Sequence, residues 1–374
     1  MKNVIVWVLC LSALFGIMYI KNQAFTPPLP EKIGEGSSIH YKFKGFNSIT
    51  PTKNDPTVEL TKQFLGAYID WTVQHPDLDD AVETFVALHN KYVPKYKDVG
   101  ITIPAIKDEY EYLAKIQPLI NDLQKKGWYF SVAVPTPIAL GDGHTNYGAL
   151  PVLGEIYAHR SGTVFDERKK RKIPFQEQIV FHALTLQTQG NVLAANTDNS
   201  GLITHYFEPL ARYADIARDA CVNPKGDNNA VFYYTQWGSI CDKKDSPKEF
   251  DTPVISGVLA STSQHEQQHV KDIELRQSLK GGIESADAQK RYLLLEARGL
   301  LASIAYGPIP YYSVGHMANA SQSVNPLRKA YGTVAMMYFR NAREAEMKKD
   351  DMMAIALHAI KDSDVDYEKM FPSK

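Results

Sequence analysis

The chain has 374 residues, 44% of them apolar and 22% charged, with a formal net charge of −1. Such a chain can bury a large core in one or two domains, and its composition excludes a disordered or coiled-coil protein. With 41 basic residues against 42 acidic ones there is no net field to draw nucleic acid, so no nucleic-acid partner is expected.

The first predicted element is apolar. Met1-Lys2-Asn3 precedes an uncharged run from Val4 to Ile20, closed by Lys21. At 1.5 Å per residue, roughly seventeen helical residues reach about 25 Å, enough to span a thin hydrocarbon core. The flank Lys21, Asn22, Gln23, Ala24, Phe25 is a poor cleavage site. Residues 1–25 therefore read as a retained signal-anchor, with a cleaved signal peptide and secretion as the alternative. Positive charge at the start favours a cytosolic N-terminus and a globular body on the periplasmic or extracellular side of a membrane. Cys221 and Cys241 suit that placement, because an even pair in an exported domain is a candidate disulfide.

Residues 26–56 read as a Pro/Gly/Ser-rich linker, opened by Thr26-Pro-Pro-Leu-Pro30, whose restricted dihedrals suit an extended spacer. The globular body then runs from 57 to 374. Leu60, Phe64, Leu65, Tyr68 and Trp71 recur at helical spacing, and the pattern continues over 81–92 and 106–123. Alternating, β-branched or aromatic stretches at 128–140, 154–164 and 230–236 read as strands. The basic run Arg168 to Lys172 reads as an exposed turn, and Gly141 to His144 as a tight one. Asn196, Asp198, Ser200 and Gly201 imitate the first half of a calcium loop. Glu208 falls one residue past the position that needs a bidentate carboxylate, so the segment reads as an Asx-rich turn. Helical character returns over 206–220 and dominates after Thr252-Pro253. The expected fold class is α+β and mostly helical, with a small mixed or antiparallel sheet.

The chemistry concentrates in His265-Glu266-Gln267-Gln268-His269. Positions i and i+4 of a helix share a face, so both imidazoles can reach one Zn²⁺, and Glu266 can take a proton from water held there. This helix is expected to stop at Gly281-Gly282. A second helix should start at Ser285 as N-cap, with Asp287 in its first turn. Glu296 stands out in its apolar run, among Tyr292, Leu293, Gly299 and Leu300. A buried carboxylate needs a cation, and zinc is the economical candidate; Gly299 would let the two helices approach closely. Asp272, Glu274 and Glu284 are rival ligands.

These residues resemble the zincin metallopeptidases, in particular their glutamate-ligand branch, the gluzincins. The resemblance covers 254–301. It implies His265, His269 and Glu296 as zinc ligands, Glu266 as general base, and a peptide or protein substrate. Thr262, Ser263, Gln267, Gln268 and Val270 fit the extended pattern, whereas Lys271 stands where an apolar residue is usual. Asp272 and Leu275 occupy positions where the metzincin branch needs Gly and His. An oxyanion also needs a donor, and Tyr311, Tyr312 and His316, read as lying on a loop after the Glu296 helix, are the candidates within a site spanning 254–316. The rival readings are a non-catalytic envelope binding protein and an anchored scaffold.

Overall fold

The computed structural model describes residues 43–371 except 44, 76–79, 109–111, 113–114, 134–149, 186–193, 198–200, 227–229, 280–284 and 346–350. The expected signal-anchor, most of the expected linker, Gly141–His144, the centre of the expected Asx-rich turn and Glu284 lie outside the described residues. No helix among the described residues is long and apolar enough to cross a membrane.

The body is mostly helical with one small mixed sheet. An N-terminal helical layer holds α1 (Pro56–Gln74), α2 (Ala81–Asp98) and α3 (Gln117–Lys125). Asp55 caps α1, accepting from the Thr57 and Val58 N–H groups at 2.9 and 3.4 Å, and Pro56 supplies a first turn that has no need of its own N–H. The predicted stripe of Leu60, Phe64, Leu65 and Tyr68 is buried against Phe85, Tyr96, Tyr112 and Leu119. Of the 106–123 stretch expected to be helical, Tyr112, Lys115 and the run from Gln117 are helical, while Ile106 and Ile116 are not.

The described residues hold six strands, β1 (Asn47–Ser48) before α1 and β2 (Trp128–Ala133), β3 (Leu150–Asp166), β4 (Arg171–Thr185), β5 (Ala194–Thr197) and β6 (Leu202–Tyr206) after α3. The order is β1-β3-β4-β6-β5, with β2 also on β3. All pairs are antiparallel except β4 with β6, where Ile179 lies opposite His205. The end of the stretch read as a linker thus belongs to the body: Asn47 and Ser48 pair with His159 and Ala158, and Phe43 is buried beside Phe207.

Helices α4 (Phe207–Val222) and α5 (Ala230–Trp237) come next. The strand expected at 230–236 is therefore a helix. Its Val, Phe and Tyr residues have β propensity, but tertiary packing decides: Tyr233 and Trp237, one turn apart, stack on each other and pack at a tilt against Tyr312. Cys221 and Cys241 are joined in a disulfide, with Cα atoms 5.5 Å apart.

The remainder is a bundle: α6 (Thr252–Lys271), the short α7 (Ile273–Gln277), α8 (Ala286–Tyr306), α9 (Pro310–Ser321), α10 (Pro326–Ala345) and α11 (Met352–Met370). Helix α6 is layered between sheet and bundle, touching β3 to β6 on one side and α8 on the other. It ends at Asp272, well before the double glycine, because Asp272 is captured by arginines and its N–H closes on the Gln268 carbonyl at 2.9 Å. Ser285 caps α8 as expected, accepting from the Ala288 N–H at 3.1 Å. The basic turn is likewise more ordered than its composition implies. Arg168 is largely buried and pairs with Asp166 and Asp272, its guanidinium lying 3.7 Å over the Tyr367 ring.

Candidate metal centre

His265, Glu266 and His269 lie together on α6, the last two buried, and their candidate ligand atoms lie within 4.8 Å of one another. The two imidazole centroids are 4.6 Å apart, as expected one helical turn apart. From α8, Glu296 addresses both rings: Oε2 lies 3.5 Å from Nε2 of His265, and Oε1 lies 3.7 Å from Nε2 of His269. Ligands at about 2.0–2.2 Å in a tetrahedron are separated from one another by about 3.4 Å. His265, Glu266 and His269 form a group that could hold a metal ion, and Glu296 comes near that spacing to each imidazole.

Gly299 makes this approach possible. A Cβ there would stand 2.6 Å from Nε2 of His265, so any side chain would displace the ring. Small residues extend the contact along the helices. Ser261 Oγ lies 2.6 Å from Ser313 Oγ and donates to the Ser303 carbonyl at 3.2 Å. Lys271 also finds a place, its ammonium 4.9 Å above the Tyr306 ring.

The electrostatics of the cluster are internally coupled. Burial opposes a charge on His265, but the hydrogen bond to Glu296 and the Glu266 and Glu296 carboxylates raise its pKa above the ordinary histidine value. Burial lowers that of His269. Burial alone would raise Glu296, yet His269 and His265 hold it below the usual carboxylate range. Nδ1 of His269 is buried and has no hydrogen-bond partner among the described residues, so this ring is oriented by packing and by Glu296.

Beneath α6, the sheet supplies a polar support. Glu177 on β4 is fully buried and receives hydrogen bonds from Ser263 Oγ and Arg160 Nε; His205 Nε2 lies 3.4 Å from it. Arg160 and Gln267 also donate to Ser263, at 3.0 and 2.8 Å. Burial pushes the Glu177 carboxyl up, but His205 and Arg160 outweigh it and bring it down to about 2.

The proposed oxyanion donors separate. Tyr311, Tyr312 and His316 lie on helix α9 and not on a loop, because Pro310 starts a helix whose Gly315 lets Phe232 pack against the backbone; a Cβ there would be 2.7 Å from it. Tyr311 faces solvent. Tyr312 is buried in an aromatic cluster, its ring 5.4 Å from Tyr213 and 5.5 Å from Trp237. His316 is one turn further on the same face, its ring stacked 6.0 Å from Tyr312. Burial, then Arg328 and His265, push it down to about 3, so of the three it is the one that feels a predicted ligand.

Rival ligands are accounted for elsewhere: Asp272 pairs with Arg298 and Arg168, and Glu274 pairs with Lys169 and accepts from Tyr367. Three tyrosines escaped sequence reasoning. Tyr206 is raised by burial, Tyr129 and the Glu266 carboxylate; Tyr292 by burial and Glu296; Tyr331 by burial and Glu296, up to about 12. Tyr292 stands four residues before Glu296, a visible signal, and its ring is 6.4 Å from Tyr331. Nothing local marks Tyr206 or Tyr331, which arrive from β6 and α10.

Comparisons with protein-family models, with curated proteins and with solved structures find no match for this chain.

Proposed function

We propose that the chain is a zinc-dependent hydrolase, most simply a metallopeptidase, with His265, His269 and Glu296 as ligands and Glu266 as general base. The observation that carries the reading is the approach of Glu296, from a second helix, to both imidazoles at 3.5 and 3.7 Å across a glycine that leaves no Cβ in the way. When bound, zinc supplies Lewis acidity, polarising an acyl oxygen and bringing the pKa of water toward about 7. The chain's residues do the rest. Glu266 is close enough to the ligand atoms to accept a proton from water and return it to a leaving group. His316, its pKa pushed down to about 3, stays neutral and can donate a hydrogen bond to a developing oxyanion, with Tyr331 and Tyr206, which feel the Glu296 and Glu266 carboxylates, as phenolic candidates. A peptide substrate is the part that rests on resemblance to zincins; the donor set serves other acyl bonds as well.

The Cys221–Cys241 bond supports a body in an oxidising compartment, held to the membrane by the N-terminal segment. A second reading comes from the same contact. His265 raised and Glu296 lowered describe an ion pair that could join α6 to α8 without a metal, in a binding protein or scaffold. Metal analysis of the purified chain separates the two. The hydrolase reading expects one zinc per chain, lost in His265→Ala and Glu296→Ala, with Glu266→Gln keeping zinc and losing peptidase activity. Zinc retained in both ligand variants would overturn it.

A further inference from the structure

One turn beyond the ligands, the same two helices are joined by a second polar cluster. Asp272 closes α6 three residues after His269, and Arg298 follows Glu296 by two on α8; both are essentially inaccessible to solvent. Arg298 grips Asp272 as a fork, Nε donating to Oδ2 at 2.7 Å and Nη2 to Oδ1 at 3.2 Å. Arg168, from the β3–β4 turn, donates through Nη2 to Asp272 Oδ1 at 2.7 Å and to the Lys271 carbonyl at 3.1 Å. Gln268, next to His269, donates to Asp272 Oδ2 at 2.9 Å. The remaining Arg298 donors reach α11, at Ser363 Oγ (2.5 Å) and Asp364 Oδ1 (2.8 Å).

The placement matters because His269 stands in the last turn of α6, where helices ordinarily fray. A metal centre tolerates only about 0.5 Å of misplacement in its ligands. Apolar contacts between α6 and α8 resist separation but permit sliding. A bidentate arginine does not, since its planar fork meets the carboxylate in one orientation. Burying these charges costs more desolvation free energy than apolar packing would, so fixing the register is what the cluster adds.

We propose that Asp272, Arg298 and Arg168 are positioning residues of the metal centre, holding the last turn of α6 against α8 so that His269 meets His265 and Glu296 around one ion. The inference rests on the zinc reading of the site. Its test is zinc affinity, by chelator competition, and the visible spectrum of the Co²⁺-loaded chain, for the full-length protein and for Asp272→Asn and Arg298→Lys. Melting of the metal-free proteins is recorded alongside, with Leu119→Ala, in the distant N-terminal core, as a destabilised control. The expected result is a loss of zinc affinity of about tenfold or more in both cluster variants, as for outer-shell partners of metal ligands, with altered Co²⁺ bands; Leu119→Ala should keep both signatures. Asp364→Asn, at the more exposed rim of the cluster, should show a smaller loss of the same sign and serves where the others fail to fold. Wild-type affinity and spectrum in the folded cluster variants, or an equal loss in Leu119→Ala, would overturn the positioning role alone. No zinc binding by the wild-type chain would overturn the metal reading and this inference with it.

Discussion

The α6–α8 contact holds two polar clusters one helical turn apart, and they are built on opposite plans. Around Asp272, carboxylates meet arginines, and the hydrogen bonds that result are short and directional. Around His269 and Glu296, imidazoles and carboxylates meet one another, so the group is rich in lone pairs. The two clusters on the same helices, one inaccessible and the other partly open at His265 and Glu296, thus differ in where the positive charge comes from. In the first the chain supplies it as guanidinium. In the second, on the proposed reading, a bound cation would supply it, and Gly299 leaves the His265 ring its room.

That contrast can be broken or sharpened by substitution. The largest expected effect is Arg298→Ala, which strands Asp272 as a buried carboxylate with one arginine fewer; it should cost about 3–5 kcal/mol in denaturant unfolding. In metal-free protein the isosteric Glu296→Gln should cost clearly less. Equal costs would mean that the ligand cluster is a closed ion pair too.

The Glu177 support beneath α6 belongs with the closed plan and should appear in the pH dependence. Its carboxyl titrates near 4.5 unfolded and at about 2 folded, so between those values the unfolded chain takes up the proton first. The contribution is fully present above pH 4.5, and up to about 3 kcal/mol is lost as the pH falls through 2. His316, ordinarily near 6.5 and here about 3, adds a loss of the same sign from pH 6.5 downward. Glu177→Gln should flatten the stability curve below pH 4.5; an unchanged curve would contradict the assignment.

Gly299→Ala tests the open cluster. The added methyl must displace the His265 ring, at about 1–3 kcal/mol of overpacking, and zinc affinity should fall further than the stability change predicts. The smallest effect is Ser285→Ala, which removes the α8 cap for about 1 kcal/mol in thermal melts and should leave zinc affinity untouched.

Much of the centre was legible because its signals are local. The His265–His269 spacing, the Ser285 cap, the lone carboxylate at 296 and the small residue at 299 all lie in a stretch of 35 residues and follow from helical periodicity. What sequence reasoning missed depends on distant partners. The end of α6 was placed at a double glycine because nothing near Asp272 announces that Arg168, 104 positions earlier, would bind it. The same long-range pairing buries Arg168 within a basic turn that is otherwise exposed, as expected. The helix at 230–237 overrode its β propensity through contacts with Tyr312, and Tyr311, adjacent in sequence to Tyr312, points the other way. The sheet order, with β6 parallel to β4, brings Tyr206 into the field of the Glu266 carboxylate, and no local pattern encodes that.

The most direct measurement is zinc-edge anomalous diffraction from crystals of the zinc-loaded chain. The account predicts one peak within about 2.0–2.2 Å of a ring nitrogen of His265, a ring nitrogen of His269 and a carboxylate oxygen of Glu296. A peak elsewhere, or none at that site at saturating zinc, would contradict it.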